Sequence, residues 1–167
     1  MYQYTPNYTR KKEMLITTML FCVSAILITV SRLEGAPLPA LWQFAAFVLL
    51  SLMISVIVRF LIRSYTYRVA PREDGFDRAF DLTVIERTGK REQVVCRVSL
   101  RDIGAAERQT AENRRALKEK RQGKRTWYYY AELSAPDLCQ LTVKDGEDVF
   151  FVMIQADQTL FSTLQNK

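Results

Sequence analysis

The sequence predicts an α+β membrane protein: an N-terminal transmembrane helical hairpin, then a small antiparallel β-sheet or barrel capped by a C-terminal helix. Three observations predict it. Two long stretches carry no charge, Met14–Ser31 "MLITTMLFCVSAILITVS" and Gly35–Val58 "GAPLPALWQFAAFVLLSLMISVIV". Beyond Arg59 charges occur throughout, and short segments alternate apolar with polar residues. The last segment returns to helical spacing, with Leu160, Phe161 and Leu164 on one face and Asp157 placed as N-cap. The overall composition, 49% hydrophobic and 25% charged, is that of an average soluble protein and hides this division.

The expected parts are a cytoplasmic tail over residues 1–13, a helical hairpin over 14–63, and a cytoplasmic β domain over 64–167 with a basic insertion at 107–125. The first apolar run makes a helix of about 27 Å at about 1.5 Å per residue, just enough for a hydrocarbon core of about 30 Å. The hairpin helices are expected at about 14–33 and 39–62, with "GAPLPA" as the turn between them. A signal peptide is one alternative for the first run, since Arg10, Lys11 and Lys12 resemble a charged leader. Two buried helices of a soluble core are another. A second apolar run following so closely favours the hairpin.

Orientation follows from the cations. Arg10, Lys11 and Lys12 flank one end, and Arg59, Arg63 and Arg68 the other, while the connecting loop holds Arg32 offset by Glu34. Lys and Arg concentrate on the cytoplasmic side, so both termini are expected inside a two-span cell-membrane protein. Trp42 is expected near the outer interface, and Tyr65 and Tyr67 just past the inner one. Ser24 and Ala25 against Ala45, Ala46 or Ser51 would let the helices approach closely.

The soluble part predicts six strands. "SYTYRVA" alternates as a half-buried strand, and "APREDGFD" breaks it with Pro71 and Gly75. Phe80, Leu82 and Val84 lead into a hairpin at "RTGKR", and Val94, Cys96, Val98 and Leu100 lead out. "RDIGAAE" is expected to leave the sheet. "TWYYYAEL" has high β-propensity; Trp127 and Tyr129 should share one face and Tyr128 and Tyr130 the other, one pair being core. "LTVKDGEDVFFVMIQ" is a second hairpin turning at Lys144–Glu147.

The order of two membrane helices, β domain and terminal helix is carried by "YTYRV", "FDLTVIERTGKREQVVCRVSLRDI" and "DVFFVMIQADQTLFSTL". In that order the chain resembles bacterial membrane proteins with a pleckstrin-homology-like domain. The resemblance covers most of the chain and implies a binding or scaffolding module at the inner leaflet. It transfers no site. The basic first hairpin of phosphoinositide-binding relatives is echoed by Arg87, Lys90 and Arg91.

No catalysis, cofactor or metal is expected. Histidine is absent, so the commonest general base is missing, and no Gly-rich phosphate loop or serine elbow occurs. The carboxylates of "REDGFD" and "KDGED" fall in turns, where Asp and Glu serve solubility and turn geometry. Three cysteines, Cys22, Cys96 and Cys139, lack metal-knuckle spacing and suit reduced thiols in a cytoplasmic domain.

The candidate binding segment is Arg114, Arg115, Lys118, Lys120, Arg121, Lys124 and Arg125. With Arg108 these eight cations oppose only Glu107, Glu112 and Glu119. The expected partners are anionic membrane headgroups or an acidic protein, with a membrane-protein partner or homo-oligomer as further readings; the bland alternative is a solvated charged loop or short helix. Nucleic acid is not expected, because a strand splits the adjacent aromatics between two faces. A runner-up function is an accessory subunit of a membrane complex, recognising protein through a sheet edge or the Tyr-rich strand.

Overall fold

The computed structural model describes residues 1–33, 37–72 and 79–166. It is α+β and divides into two compact units, Tyr8–Arg63, and Met1–Asn7 together with Ser64–Lys167.

The first unit is helical. α1 spans Lys11–Ser31 and α2 spans Pro39–Val56, continuing as a π-helical segment over Ile57–Ile62. Pro39 opens α2, where its missing N–H leaves no bond unmade. Both helices are long and apolar enough to cross a membrane. They pack against each other where small side chains allow: Ser24 and Ala46 are buried, whereas Ala25 and Ser51 are exposed, which narrows the expected small-residue contact to the first two. Phe44 and Phe47 point outward, each 68% exposed. Arg10, at φ 49°, donates from its guanidinium to the carbonyls of Leu61 and of Arg63, the latter at 2.9 Å, so it clasps the end of the π-helical segment to the start of α1. Trp42 donates to Pro37 O at 2.8 Å, closing the turn before α2. Glu34 and the start of "GAPLPA" lie outside the described residues.

The second unit holds eight strands among the described residues, not six. β1 (Tyr2–Tyr4), β2 (Arg63–Pro71), β3 (Phe80–Thr88) and β4 (Arg91–Ser99) form one sheet in that order. A 3₁₀ turn at Leu100–Asp102 leads to β5 (Ile103–Arg108), then α3 (Arg114–Arg121), β6 (Thr126–Tyr129), β7 (Leu138–Asp145), β8 (Asp148–Gln155) and α4 (Gln158–Gln165). The second sheet runs β5–β7–β8–β6, with β6 parallel to β8 and the other pairs antiparallel.

Several sequence expectations change here. The N-terminal tail supplies a strand: Tyr2 pairs with Val69 and Tyr4 with Tyr67. "RDIGAAE" does leave the first sheet, but as the edge strand of the second. The alternation of Tyr65, Tyr67 and Val69 in β2 holds as the sequence has it, with all three buried at 5%, 0% and 4% exposure. In the first hairpin Leu82, Val84, Val98 and Leu100 are buried, yet Val94 is 56% exposed. The cause is a bulge: Val84 faces Cys96 and Ile85 faces Val94, so Val95 is an extra residue that inverts the side-chain phase beyond it. Gly89 and Gly146, both at φ 61°, make the two hairpin turns that the sequence places there. Gly75 and the carboxylates Glu73, Asp74 and Asp77 of "REDGFD" lie outside the described residues.

α4 closes the unit. Asp157 Oδ1 accepts Leu160 N–H at 2.8 Å as the N-cap, and Leu160 and Leu164 are fully buried. The same carboxylate accepts Tyr2 OH at 2.5 Å through Oδ2, fastening β1 to the start of α4.

Candidate functional site

The basic segment folds because two residues organise it. Leu117, 2% exposed, is the apolar anchor that seats α3 on the second sheet. Gly123, at φ 76°, ends the helix in a left-handed conformation that any other residue would adopt at a cost. Upstream, Asn113 Oδ1 accepts Thr110 N–H at 2.7 Å and Asn113 Nδ2 donates to Arg108 O at 2.8 Å, fixing the approach to the helix. Lys118, Lys120 and Arg121 fall in its last turn, where the helix dipole favours cations.

Five of the seven predicted cations converge. Arg114, Arg115, Lys118, Arg121 and Lys124 line a groove of about 1150 Å³ between α3 and the Tyr128/Tyr130 side of β6, above Leu133, Leu138 and Met153. Tyr128 and Tyr130 meet edge to face, centroids 6.1 Å apart. Glu119 is the one carboxylate in the lining among the described residues, and it pairs with Arg115 at 3.3 Å along the helix. Arg121 Nε donates to Leu117 O at 3.3 Å, and Lys124 Nζ lies 5.9 Å from the Phe151 ring centre. Arg114, Lys118 and Lys124 form no ion pair among the described residues.

The other two cations do not join them. Lys120 turns to Glu107 on β5, 2.7 Å away. Arg125 lies beside Trp127 in an adjoining cavity of about 540 Å³ that Lys124 also lines, together with Asp145, Glu147 and Asp148. Arg87, Lys90 and Arg91 sit at the first hairpin turn, where Arg87 Nε donates to Gly89 O at 3.2 Å and faces Glu92 at 3.9 Å. None of the three lines the groove.

Neither aromatic pair is wholly core. Trp127 and Tyr128 are 52% and 43% exposed, one from each face. Tyr129 turns inward against Tyr65, centroids 6.0 Å apart, and donates to Val95 O at 3.2 Å, the carbonyl of the bulge residue. Burial raises its phenol pKa to about 12, with Cys96 nearby adding to the effect. The groove's floor was not legible in the sequence, because Leu138 and Met153 reach it through strand pairing from β7 and β8.

Gln140 shares the face that α3 covers, since it pairs with Glu107 on β5 and with Met153 on β8. It is fully buried, and both its amide atoms lack a hydrogen-bond partner among the described residues. A further cavity of about 610 Å³, bounded by Met1, Tyr2, Phe80, Leu100 and Thr163, has Arg101 as its one charged side chain among the described residues and is chemically unlike the groove. Among the described residues no cluster of His, Cys, Asp or Glu is placed to hold a metal ion. No protein-family model, no curated protein and no solved structure matches this chain.

Proposed function

We propose that the protein is a membrane-anchored, non-catalytic binding module whose β domain, pleckstrin-homology-like in its order of elements, takes an anionic ligand in the groove between α3 and β6. The observation that carries this reading is the convergence of Arg114, Arg115, Lys118, Arg121 and Lys124 on one concavity with a single, already paired carboxylate. Cations near an anionic lipid surface contribute about 1 kcal/mol each within a Debye length of about 8–10 Å, and the charges of an acidic protein are screened over the same distance.

The anchor is the α1–α2 hairpin. Its outward side chains are apolar over a length that suits a bilayer. Chain order supports an even number of crossings: β1 precedes the hairpin, β2 follows it, and the two strands pair in one sheet. Strands that pair must lie on the same side of any membrane between them. Lys11, Lys12, Arg59 and Arg63 favour the cytoplasmic side. A reporter fused after Lys167 should be active in the cytoplasm; activity outside would remove the anchor geometry.

The binding reading is tested with the full chain in phosphatidylcholine nanodiscs, titrated with fluorescent polyglutamate and with phosphatidylglycerol-containing vesicles. Binding of either probe should weaken with salt and be lost with Lys118→Glu combined with Arg121→Glu. If both probes ignore salt and the substitutions, the groove is not an anion site.

A second reading, an accessory subunit docking protein at a sheet edge, is favoured by one observation: β6 ends its sheet and leaves Trp127 half exposed. Co-purification of a protein at fixed stoichiometry, lost with Trp127→Ala but not with the charge reversals, would select it.

A further inference from the structure

We infer that the ligand of the groove is an extended acidic peptide of a partner protein, its alternate carboxylates facing the cations of α3 and an apolar residue between them facing the Tyr128 and Tyr130 wall. The inference rests on the anion-site reading above and goes on to name the ligand. Arg114, Lys118 and Arg121 are spaced four and three residues apart along α3, so they form one stripe. At about 1.5 Å per residue, Arg114 and Lys118 stand about 6 Å apart along the axis. Alternate side chains of an extended strand recur every 6.4–6.8 Å or so, close to that step. Carboxylates two residues apart on a peptide therefore match Arg114 and Lys118, while Arg121, about 4.5 Å further along the axis, is reached by the length of its own side chain.

The lining argues against a bilayer as the occupant. A flat surface meets cations that project onto a plane, whereas these five surround a concavity. Its walls and floor include Leu133, Leu138, Met153 and the edge-to-face pair Tyr128 and Tyr130, which are contacts for an apolar side chain and not for a headgroup. The volume of about 1150 Å³ also exceeds what one phosphate group fills. Charge complementarity then selects the flanks: one paired carboxylate among five cations accepts acids on both sides of the apolar anchor. Nucleic acid fits less well, because tyrosines packed edge to face do not present parallel faces for stacked bases.

The test uses the full chain in phosphatidylcholine nanodiscs and three probes: a ten-residue peptide with Glu at alternate positions and one central Leu, the same peptide with that Leu replaced by Ser, and inositol hexakisphosphate as a headgroup-like polyanion. The leucine peptide should bind, and the serine peptide should bind about tenfold more weakly, the scale set by burying one leucine. Lys118→Glu with Arg121→Glu should abolish binding. Leu133→Asp, which leaves every cation in place, should weaken the leucine peptide more than the serine one. Equal binding of the two peptides, or groove-dependent binding of inositol hexakisphosphate with neither peptide bound, overturns the peptide inference while leaving an anion site. Failure of all three probes to bind overturns both.

Discussion

The hydroxyl of Tyr67 donates to the carbonyl of Tyr129 at 2.5 Å and accepts the amide of Gln155 at 3.2 Å. The phase of the parallel β6–β8 ladder is set by Phe151 N–H on Arg125 O at 2.9 Å, and the alternation that follows would place Met153 N on Trp127 O and then Gln155 N on Tyr129 O. A phenol from the first sheet thus stands in for the last rung of the second. Replacing Tyr67 with Phe keeps the ring and its stacking on Tyr4, 6.2 Å away, but takes the hydroxyl from the part-buried Tyr129 carbonyl and from the buried Gln155 amide. A loss of about 1–3 kcal/mol is expected in chemical unfolding of the detergent-solubilised protein, on the scale of an unpaired buried group. No loss would mean that β6 and β8 close the rung directly.

Asp157 serves two partners with its two oxygens, the Leu160 amide and the Tyr2 hydroxyl. Asp157→Ala removes the cap and the tie together and should cost about 1–3 kcal/mol. Asp157→Asn retains a capping oxygen and should recover part of it. Tyr2→Phe should cost less than Asp157→Ala, because the α4 cap survives.

Gln140 offers the opposite sign. Its buried, unpartnered amide opposes folding, so Gln140→Leu, of similar volume, should raise stability by about 1 kcal/mol. A fall would show that the amide is satisfied by something that the leucine excludes.

Alkaline pH should destabilise the β domain in a defined window. Burial raises the Cys139 thiol from 9.0 to about 12, and burial raises the Tyr129 phenol from 10.0 to about 12. A raised value in the folded state means that the folded chain holds protons that the unfolded chain has released. Stability is therefore intact below about pH 9 and is lost as pH climbs toward 12. Cys139→Ala should lessen the decline that begins near 9, part of which stays because burial also raises the Cys96 thiol, and Tyr129→Phe should lessen the part that begins near 10. Thermal unfolding followed by circular dichroism across this range checks both.

Elements with long or regular patterns were legible in the sequence. The two charge-free runs became α1 and α2, Asp157 capped α4, and "TG" and "DG" turned the hairpins. What escaped depended on distant partners. Residues 2–4 are too few to carry a periodic signal, and they are a strand only because β2 presents an edge to them. Val94 faces outward because Val95 is an unpaired extra residue, which no local alternation announces. In the binding segment the charge excess was visible, yet the division between converging and diverging cations was not: Glu107 draws Lys120 aside from a neighbouring strand. Helix formation was open in the sequence, although Leu117 and Gly123 held the signals for a seat and a stop.

The pairing of Tyr2, Gln3 and Tyr4 with β2 sets an order of events during synthesis. These residues leave the ribosome ahead of both apolar helices, which must be made before their partner strand exists. Until then the segment has no strand to pair with, and the seam between β1 and β2 closes only after the helical hairpin has been made.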